Sequence, residues 1–367
     1  MTYLHFTDPG SQPLTLEELP FCNEVVGIPK PGAYGLAKLI RGVVGRWPVS
    51  VLNYTSAPMS AAVDRAVSGS VFDLIHLDSI HMMRYRATSA KKAGGRIVYN
   101  WHNIESEAMR RYGATVTSRP RRWYARLTAS KLAGLERETL KTGFGHVVCS
   151  EREKEELNRI APSARVAVVE NGVDVESFSR GSEVLLPAQK VIFVGLMDYY
   201  PNIEAATSFT NRIWPALRER FPGLTLWIVG ANPVPAVVEL GNLDGVTVTG
   251  TVADVRPYYR DAAAAIVPLR TGGGTRLKIL EAMAAGVPVI SSPLGCEGLA
   301  VTPSEDILLA DPDDASAWVR HMARLSSAAE RTKLTGAALQ LVRSRYDWQI
   351  LGRRLCNTYK DWLKSDV

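Results

Sequence analysis

Pro268-Leu269-Arg270-Thr271-Gly272-Gly273-Gly274-Thr275-Arg276-Leu277-Lys278-Ile279-Leu280-Glu281-Ala282-Met283-Ala284-Ala285-Gly286-Val287-Pro288 reads as the end of a strand, a glycine turn, a helix and a glycine stop. Three consecutive glycines let a backbone approach a ligand with no Cβ in the way, and the helix that follows aims its unpaired N–H groups at the same place. An anion belongs there. Arg276 and Lys278 fall in the expected first turn, where the helix dipole disfavours a cation by about 0.3–1 kcal/mol unless a negative partner is present. On the helical wheel Leu277, Leu280, Met283 and Ala284 form the expected buried face, with Arg276 inside that arc and Glu281 off it beside Lys278. The competing reading is a glycine cap on a core helix, with Lys278 and Glu281 as a surface pair worth a few tenths of a kcal/mol.

The surroundings favour the ligand. Val71–Leu77, Arg96–Tyr99, His146–Cys149 and Val166–Val169 are short apolar runs alternating with longer amphipathic segments. After Asn171-Gly172-Val173-Asp174 the rhythm restarts with Val191–Gly195, Leu224–Gly230, Val246–Gly250, Ala264–Leu269 and Val287–Ser291. Unbroken apolar strands alternating with helices are the signature of a parallel sheet covered on both faces. A chain of 367 residues has room for two such cores. We therefore expect an α/β protein of two doubly wound, Rossmann-like domains, one formed by 1–172 plus 345–367 and the other by 173–344. Gly195, Gly230 and Gly250 stand at strand carboxyl ends, the ends that line the ligand crevice of such sheets. The final helix, over Ile350–Leu363, carries Leu351, Leu355, Tyr359 and Trp362 at helical spacing and is expected to cross back onto the first domain.

Composition narrows the class. With 46% hydrophobic and 22% charged residues the chain is an ordered globular protein. Cys22, Cys149, Cys296 and Cys356 lie far apart with no CxxC pair, which argues against a disulfide framework or a zinc site and fits a reducing, cytoplasmic setting. No apolar run approaches the roughly 18–20 residues that span a bilayer, and no signal peptide is expected. The net charge of +6 is concentrated between Arg110 and Lys141, where nine basic residues face only Glu136 and Glu138. Within it a basic amphipathic helix is expected over 119–141, with Trp123, Tyr124, Leu127, Leu132 and Leu135 on one half and Arg122, Arg126 and Arg137 on the other. It is either a solvated face over a core contact or a dock for anionic lipid at the inner face of the plasma membrane; nucleic acid ranks below both.

The stretch Gly272–Gly286, together with Asn171–Asp174, Val194-Gly195-Leu196-Met197-Asp198-Tyr199-Tyr200-Pro201-Asn202 and Val255-Arg256-Pro257-Tyr258, closely resembles the family-4, GT-B-type retaining glycosyltransferases in order and spacing. The resemblance implies two facing Rossmann-like domains, a nucleotide diphosphate sugar bound by the carboxyl-terminal one, an acceptor on the amino-terminal one, retention at the anomeric carbon and no obligatory metal. Glu281 matches the second glutamate of the family's paired motif, whose carboxylate accepts from the ribose hydroxyls. The first glutamate is replaced here by Gly273, so contacts to the sugar at that position fall to backbone amides. The family often places an arginine and a lysine after the first donor-domain strand; that stretch here has neither, and Arg276 or Lys278 is the candidate replacement. Gly195, Asp198, Val252, Gly272, Gly273, Gly274 and Thr275 complete the expected donor site, with the base near Gly250–Asp254. Glu297 either reaches the donor or ends a strand turn.

His102, in Tyr99-Asn100-Trp101-His102-Asn103-Ile104-Glu105, matches the histidine that the family places beside the donor sugar, where it can hydrogen-bond a sugar hydroxyl. The alternative is a histidine satisfied by local backbone. Asn103 and Glu105 suit a helix's first turn. His76, Asp78 and His81 are ligand types close enough in sequence to suggest a metal site, but His76 reads as a residue inside a buried strand, which argues against one. The family's opening strand, glycine turn and helix have no counterpart ahead of Tyr3–Phe6. As alternatives to transfer stand a nucleotide-sugar 2-epimerase, which needs acid–base carboxylates and histidines around the sugar, and a non-catalytic nucleotide-sugar-binding protein.

Overall fold

The computed structural model describes residues 1–32, 35–86, 95–179, 189–272 and 276–366. Two compact units emerge, Met1–Val169 with Thr358–Val367, and Glu170–Asn357.

The first unit holds β1 (Thr2–Thr7), β2 (Glu24–Pro29), β3 (Ile75–Asp78), β4 (Ile97–Trp101), β5 (Gly145–Val148) and β6 (Val166–Val168). β1 and β2 form a parallel pair, and β3-β4-β5-β6 form a parallel sheet in that order. β3 begins later than the apolar run suggested, because β4 offers no paired residue ahead of Ile97, opposite Ile75, and Val71 is 93% exposed. His76 is in a strand as expected but is not buried. Alternation along β3 turns Leu77 inward and leaves His76 and Asp78 on the open side, where the His76 ring meets Tyr359 edge-on.

The basic helix spans Arg119–Thr142, but its buried arc is Ala125, Thr128, Ala129, Leu132, Leu135, Glu136, Thr139 and Leu140. Trp123, expected on the buried half, is 57% exposed. Small residues explain this: the helix packs closely against Glu105–Thr115, where a methyl group added to Gly113 would lie 3.2 Å from Ala125 Cβ. Close approach of two backbones, rather than apolar content, selects the face. The last helix, Trp348–Lys364, carries Trp362 over Gly145 and Tyr359 against His76 within the first unit.

The second unit is a six-stranded parallel sheet of β7 (Lys190–Val194), β8 (Thr225–Val229), β9 (Val246–Val248), β10 (Ala264–Val267), β11 (Val289–Ser291) and β12 (Leu308–Leu309), in the order β12-β11-β10-β7-β8-β9. Its core packs Phe193, Phe209, Trp318 and Tyr346, with Phe209 and Trp318 in an edge-to-face pair at 5.1 Å. The order matters for function. β7 leads to β8 on one side and neighbours β10 on the other, so the connections diverge there, and a doubly wound sheet binds ligands at the carboxyl ends flanking such a switch point.

Candidate active site

In the second unit the residues that follow β7, β8 and β10 converge at the switch point. Gly230, after β8, has φ +152°, and a methyl group on it would lie 1.8 Å from the Gly195 carbonyl oxygen, so two strand ends touch backbone to backbone. Gly195, after β7, has Lys278 Nζ where its own side chain would be: an added methyl would sit 2.8 Å from Nζ and 2.7 Å from Asn202 Nδ2. Gly272, after β10, has φ +109° and packs near Pro201. Gly273, Gly274 and Thr275 lie outside the described residues.

The helix after the glycines is Leu277–Ala284, with Arg276 at its N-cap instead of in its first turn. Ile279, Leu280, Ala282, Met283 and Ala284 are buried, as is Arg276, at 7% exposure. Leu277, expected on the buried face, is 41% exposed, because the helix starts only at that residue and its side chain precedes the packed turn. Lys278 donates to Asn202 Oδ1 at 2.8 Å and lies over the Phe193 ring at 4.4 Å. Burial, with the Arg276 charge adding to it and Glu281 opposing, pushes its ammonium down to about 7. Asn202 in turn donates to the Leu196 carbonyl at 2.9 Å, tying the turn after β7 to the lysine.

Glu281 accepts from the hydroxyl of buried Tyr259 at 3.0 Å. Burial raises its pKa, against the pull of the Tyr259 hydrogen bond and of Lys278. Asp198 is exposed and accepts from Asn232 at 3.1 Å; Leu196, Tyr199 and Tyr200 beside it are exposed too, an apolar lip on the turn. Val252 is partly buried against the core, and Gly250, at φ +70°, lines a shallow groove with Pro233 and Thr249. Glu297 closes the turn after Leu294–Cys296 that follows β11. The arrangement thus offers two buried cations, glycine backbone and a carboxylate at one switch point, which is what a diphosphate joined to a ribose requires.

In the first unit the ends of β3 and β4 hold a second cluster. Asp78 and Asn100 are register partners. Asp78 Oδ1 lies 3.0 Å from His102 Nε2, accepts from Asn100 Nδ2 at 2.7 Å and lies 3.8 Å from His76 Nε2. Burial acts to raise the Asp78 pKa, but hydrogen bonds from His102, His76 and Asn100 outweigh it and hold the carboxyl well below the usual range. The Asp78 hydrogen bond in turn raises His102, against desolvation, with Glu105 and Glu153 adding to the rise. Glu105 begins its helix as expected; burial, and then Glu136, push it up to about 7. Ser79, strained at φ +92°, turns the chain so that its hydroxyl meets His81 Nδ1 at 2.7 Å, and burial lowers His81 to about 4. His102 is thus satisfied by a carboxylate, not by local backbone. Among the described residues no group of three His, Cys, Asp or Glu is placed to hold a metal ion.

Asn202, Tyr259 and Asn100 have no role legible in the sequence, and Asp78 stands out there only as a candidate metal ligand. Asn202 closes one of the stretches that carry the resemblance, and that position was its one signal.

One family description, glycosyl transferases group 1, matches residues 188–328, and a second, glycosyltransferase family 4, matches residues 21–177. The glycogen synthase of Mycobacterium tuberculosis is 25% identical over 67% of this chain and 61% of its own length. The chain therefore spans about three-fifths of that relative. Sucrose-phosphate synthase of Thermosynechococcus elongatus shares the fold, with a TM-score of 0.69 at 20% identity over 99% of this chain and 89% of that one. Anabaena HepE, solved in complex with UDP and glucose, superposes with a TM-score of 0.66 at 13% identity over 98% of this chain and 99% of that one. The two family matches thus lie on successive stretches of one chain, and its two parallel-sheet units have the GT-B fold of the solved glycosyltransferases that it resembles.

Proposed function

We propose that the chain moves a sugar from a nucleotide diphosphate sugar to a glycan or lipid-linked acceptor, with retention of anomeric configuration, in polysaccharide or glycolipid assembly. The observation that carries this reading is Lys278 Nζ seated under Gly195 at the switch point, beside buried Arg276. Departure of the nucleotide diphosphate builds negative charge on the leaving oxygen, and preorganised cations and amides stabilise that charge most. Lys278 and Arg276 take this part, so no metal is obligatory. Glu281 accepts from the ribose, and Gly272 brings backbone to the phosphates. His102, on the first unit, hydrogen-bonds a sugar hydroxyl. The resemblance assigns the acceptor to that unit. An isomerase would find its carboxylates and histidines in the Asp78–His102–Glu105 cluster, yet the two family descriptions matched, both of glycosyltransferases, favour transfer.

The test is a thermal-shift screen of the full chain against UDP, GDP, ADP and their sugars, repeated with Glu281→Ala and followed by transfer assays on the donor selected. A shift for one nucleotide that the variant loses supports the donor site. No shift with any nucleotide overturns the reading, and a shift without turnover leaves a binding protein. Retention is checked by the anomeric coupling of the product in proton NMR; an inverted product refutes that part.

We also place the chain at an anionic membrane surface. No described helix is long and apolar enough to cross a membrane. The helix Leu36–Val44 turns Leu36, Leu39, Ile40 and Val44 to solvent, and no acidic residue lies between Glu24 and Asp64 while Lys30, Lys38, Arg41 and Arg46 do. Lys131, from the basic helix 119–142, donates to the carbonyls of Gly42, Val43 and Gly45 at the end of that helix. An apolar stripe on a helix that carries Lys38 and Arg41 suits acidic headgroups, while Lys30 and Arg46 are paired with Asp8 and Glu138. Co-sedimentation with phosphatidylglycerol vesicles but not phosphatidylcholine vesicles, lost in Ile40→Glu, is the expected outcome; equal recovery with both refutes it.

A further inference from the structure

We propose that Asp78 is the positioning residue for His102, holding the imidazole by Nε2 and fixing its charge so that Nδ1 is the atom presented to a sugar hydroxyl. This rests on the transferase reading above for the role of His102, but the geometry behind it is independent of that reading. Asp78 is the last residue of β3 and Asn100 sits opposite it on β4, two residues before His102, so strand pairing itself fixes the separation of carboxylate and ring. The carboxylate is not loose at that end. Asn100 Nδ2 holds the same oxygen at 2.7 Å, and Asn100 N–H and carbonyl groups are committed to the sheet around it, the carbonyl accepting from Ser79 N–H at 3.0 Å. Ser79 then leaves the strand at φ +92°, a conformation costly for serine, which turns the chain away and keeps Asp78 at the tip.

The arrangement matches a general pattern in which one ring nitrogen is committed to a carboxylate so that the other meets the substrate in one orientation. His102 is 45% exposed and Asp78 64% by side chain, so the pair faces solvent and can be reached. Among the described residues, three carboxylates act on His102. Asp78 comes from β3, Glu105 from the helix Glu105–Thr115 and Glu153 from the helix Glu151–Ile160, and all three favour the imidazolium. His81, from the turn after β3, is held neutral by burial and by the His102 charge, so it does not compete for Asp78. His76 meets Tyr359 through Nδ1 and turns Nε2 toward the same Asp78 oxygen at 3.8 Å, where it helps His102 and Asn100 to keep the carboxylate charged. A protonated His102 donates from both nitrogens, one to Asp78 and one to the sugar.

The experiment follows the His102 Cε1–H resonance through a pH titration of the full chain, with Asp78→Asn and Asp78→Ala alongside, the signal being assigned with His102→Gln. Initial rates of transfer from the donor that the nucleotide screen selects are taken on the same preparations. Asp78→Asn is isosteric at an exposed position, and melting temperatures of both variants check that they fold. We expect the wild-type midpoint to lie above the ordinary histidine value of about 6.5 and to fall in both variants. We expect kcat to drop at least tenfold with KM for the donor within about twofold, as for an interaction that is strengthened in the transition state. An unchanged midpoint overturns the pairing, and a shifted midpoint with intact kcat overturns the positioning role. A shifted midpoint in a chain that transfers no sugar from any donor overturns the transferase reading while the pairing stands.

Discussion

On the donor role proposed for it, Lys278 is expected to make nucleotide-sugar binding depend on pH. With its ammonium pushed down to about 7 in the free chain, it is about nine-tenths protonated at pH 6 and about one-tenth at pH 8. A diphosphate beside it replaces the missing anion and restores a high pKa, so the bound form carries the proton throughout that range. Binding at pH 8 therefore takes up about nine-tenths of a proton, and affinity falls about tenfold between pH 6 and pH 8, or about 1.4 kcal/mol. The sign follows from linkage: the liganded form binds more protons, so raising pH disfavours it. The assay is titration calorimetry with UDP-glucose, or the sugar of whichever nucleotide the screen selects, in two buffers of different ionisation enthalpy. The diphosphate diester has no group of its own titrating there. Lys278→Arg keeps a cation that does not titrate, and its affinity is expected to be flat over the same range. A flat wild-type profile, or an equal slope in Lys278→Arg, refutes the role given to this lysine.

Transfer is expected to continue in EDTA, since Lys278 and Arg276 supply the charge a metal would; complete loss that a divalent cation restores refutes this. Gly230→Ala forces a side chain into 1.8 Å contact with the Gly195 carbonyl at φ +152°, so we expect a loss beyond about 4 kcal/mol and little soluble protein; a melting point within a few degrees of wild type is the contrary result. Tyr346 is fully buried and its oxygen accepts from Ala300 N–H at 2.7 Å, so Tyr346→Phe strands that donor and should cost about 1–3 kcal/mol in urea unfolding, against a change under about 0.5 if the hydroxyl is dispensable.

The parallel strands were legible because they are buried on both faces and so read as unbroken apolar runs; β8 and β10 fall within the runs expected for them, and β7 starts one residue ahead of its run. The ends were less so. β3 starts at Ile75 because pairing, not composition, decides where a strand begins, and Val71 is apolar without a partner. The wheel of the basic helix misled for a related reason: apolar content pointed to Trp123, whereas the packed arc is set by the small residues that meet Gly113. At the site, Arg276, Lys278 and Glu281 stood out because they share one motif with the glycines. Asn202, Tyr259 and Asp78 did not, since each reaches its partner through the order of strands in a sheet: Asn202 lies 76 residues from Lys278, and Asp78 lies 24 from His102.

Strand order also accounts for the stretch that departs most from the family pattern. The turn after β7 lacks the arginine and lysine expected there, and Lys278, one of the two candidate replacements, stands far from it along the chain. Adjacent parallel strands lie about 4.8 Å apart, so β7 and β10 deliver their following turns to the same spot. A lysine on the helix after β10 has the length to reach beneath the turn after β7, provided the residue there has no side chain. Gly195 meets that condition: a Cβ there would lie 2.8 Å from Lys278 Nζ, whose hydrogen-bond partner Asn202 stands in the helix that follows the same turn. The glycine and the lysine are then one device, and a side chain at 195 should displace the ammonium without touching the lysine. Gly195→Ala is accordingly expected to reproduce the weakened, pH-insensitive donor binding of a chain without Lys278; full affinity and an unchanged pH slope in that variant would show that the two residues act separately.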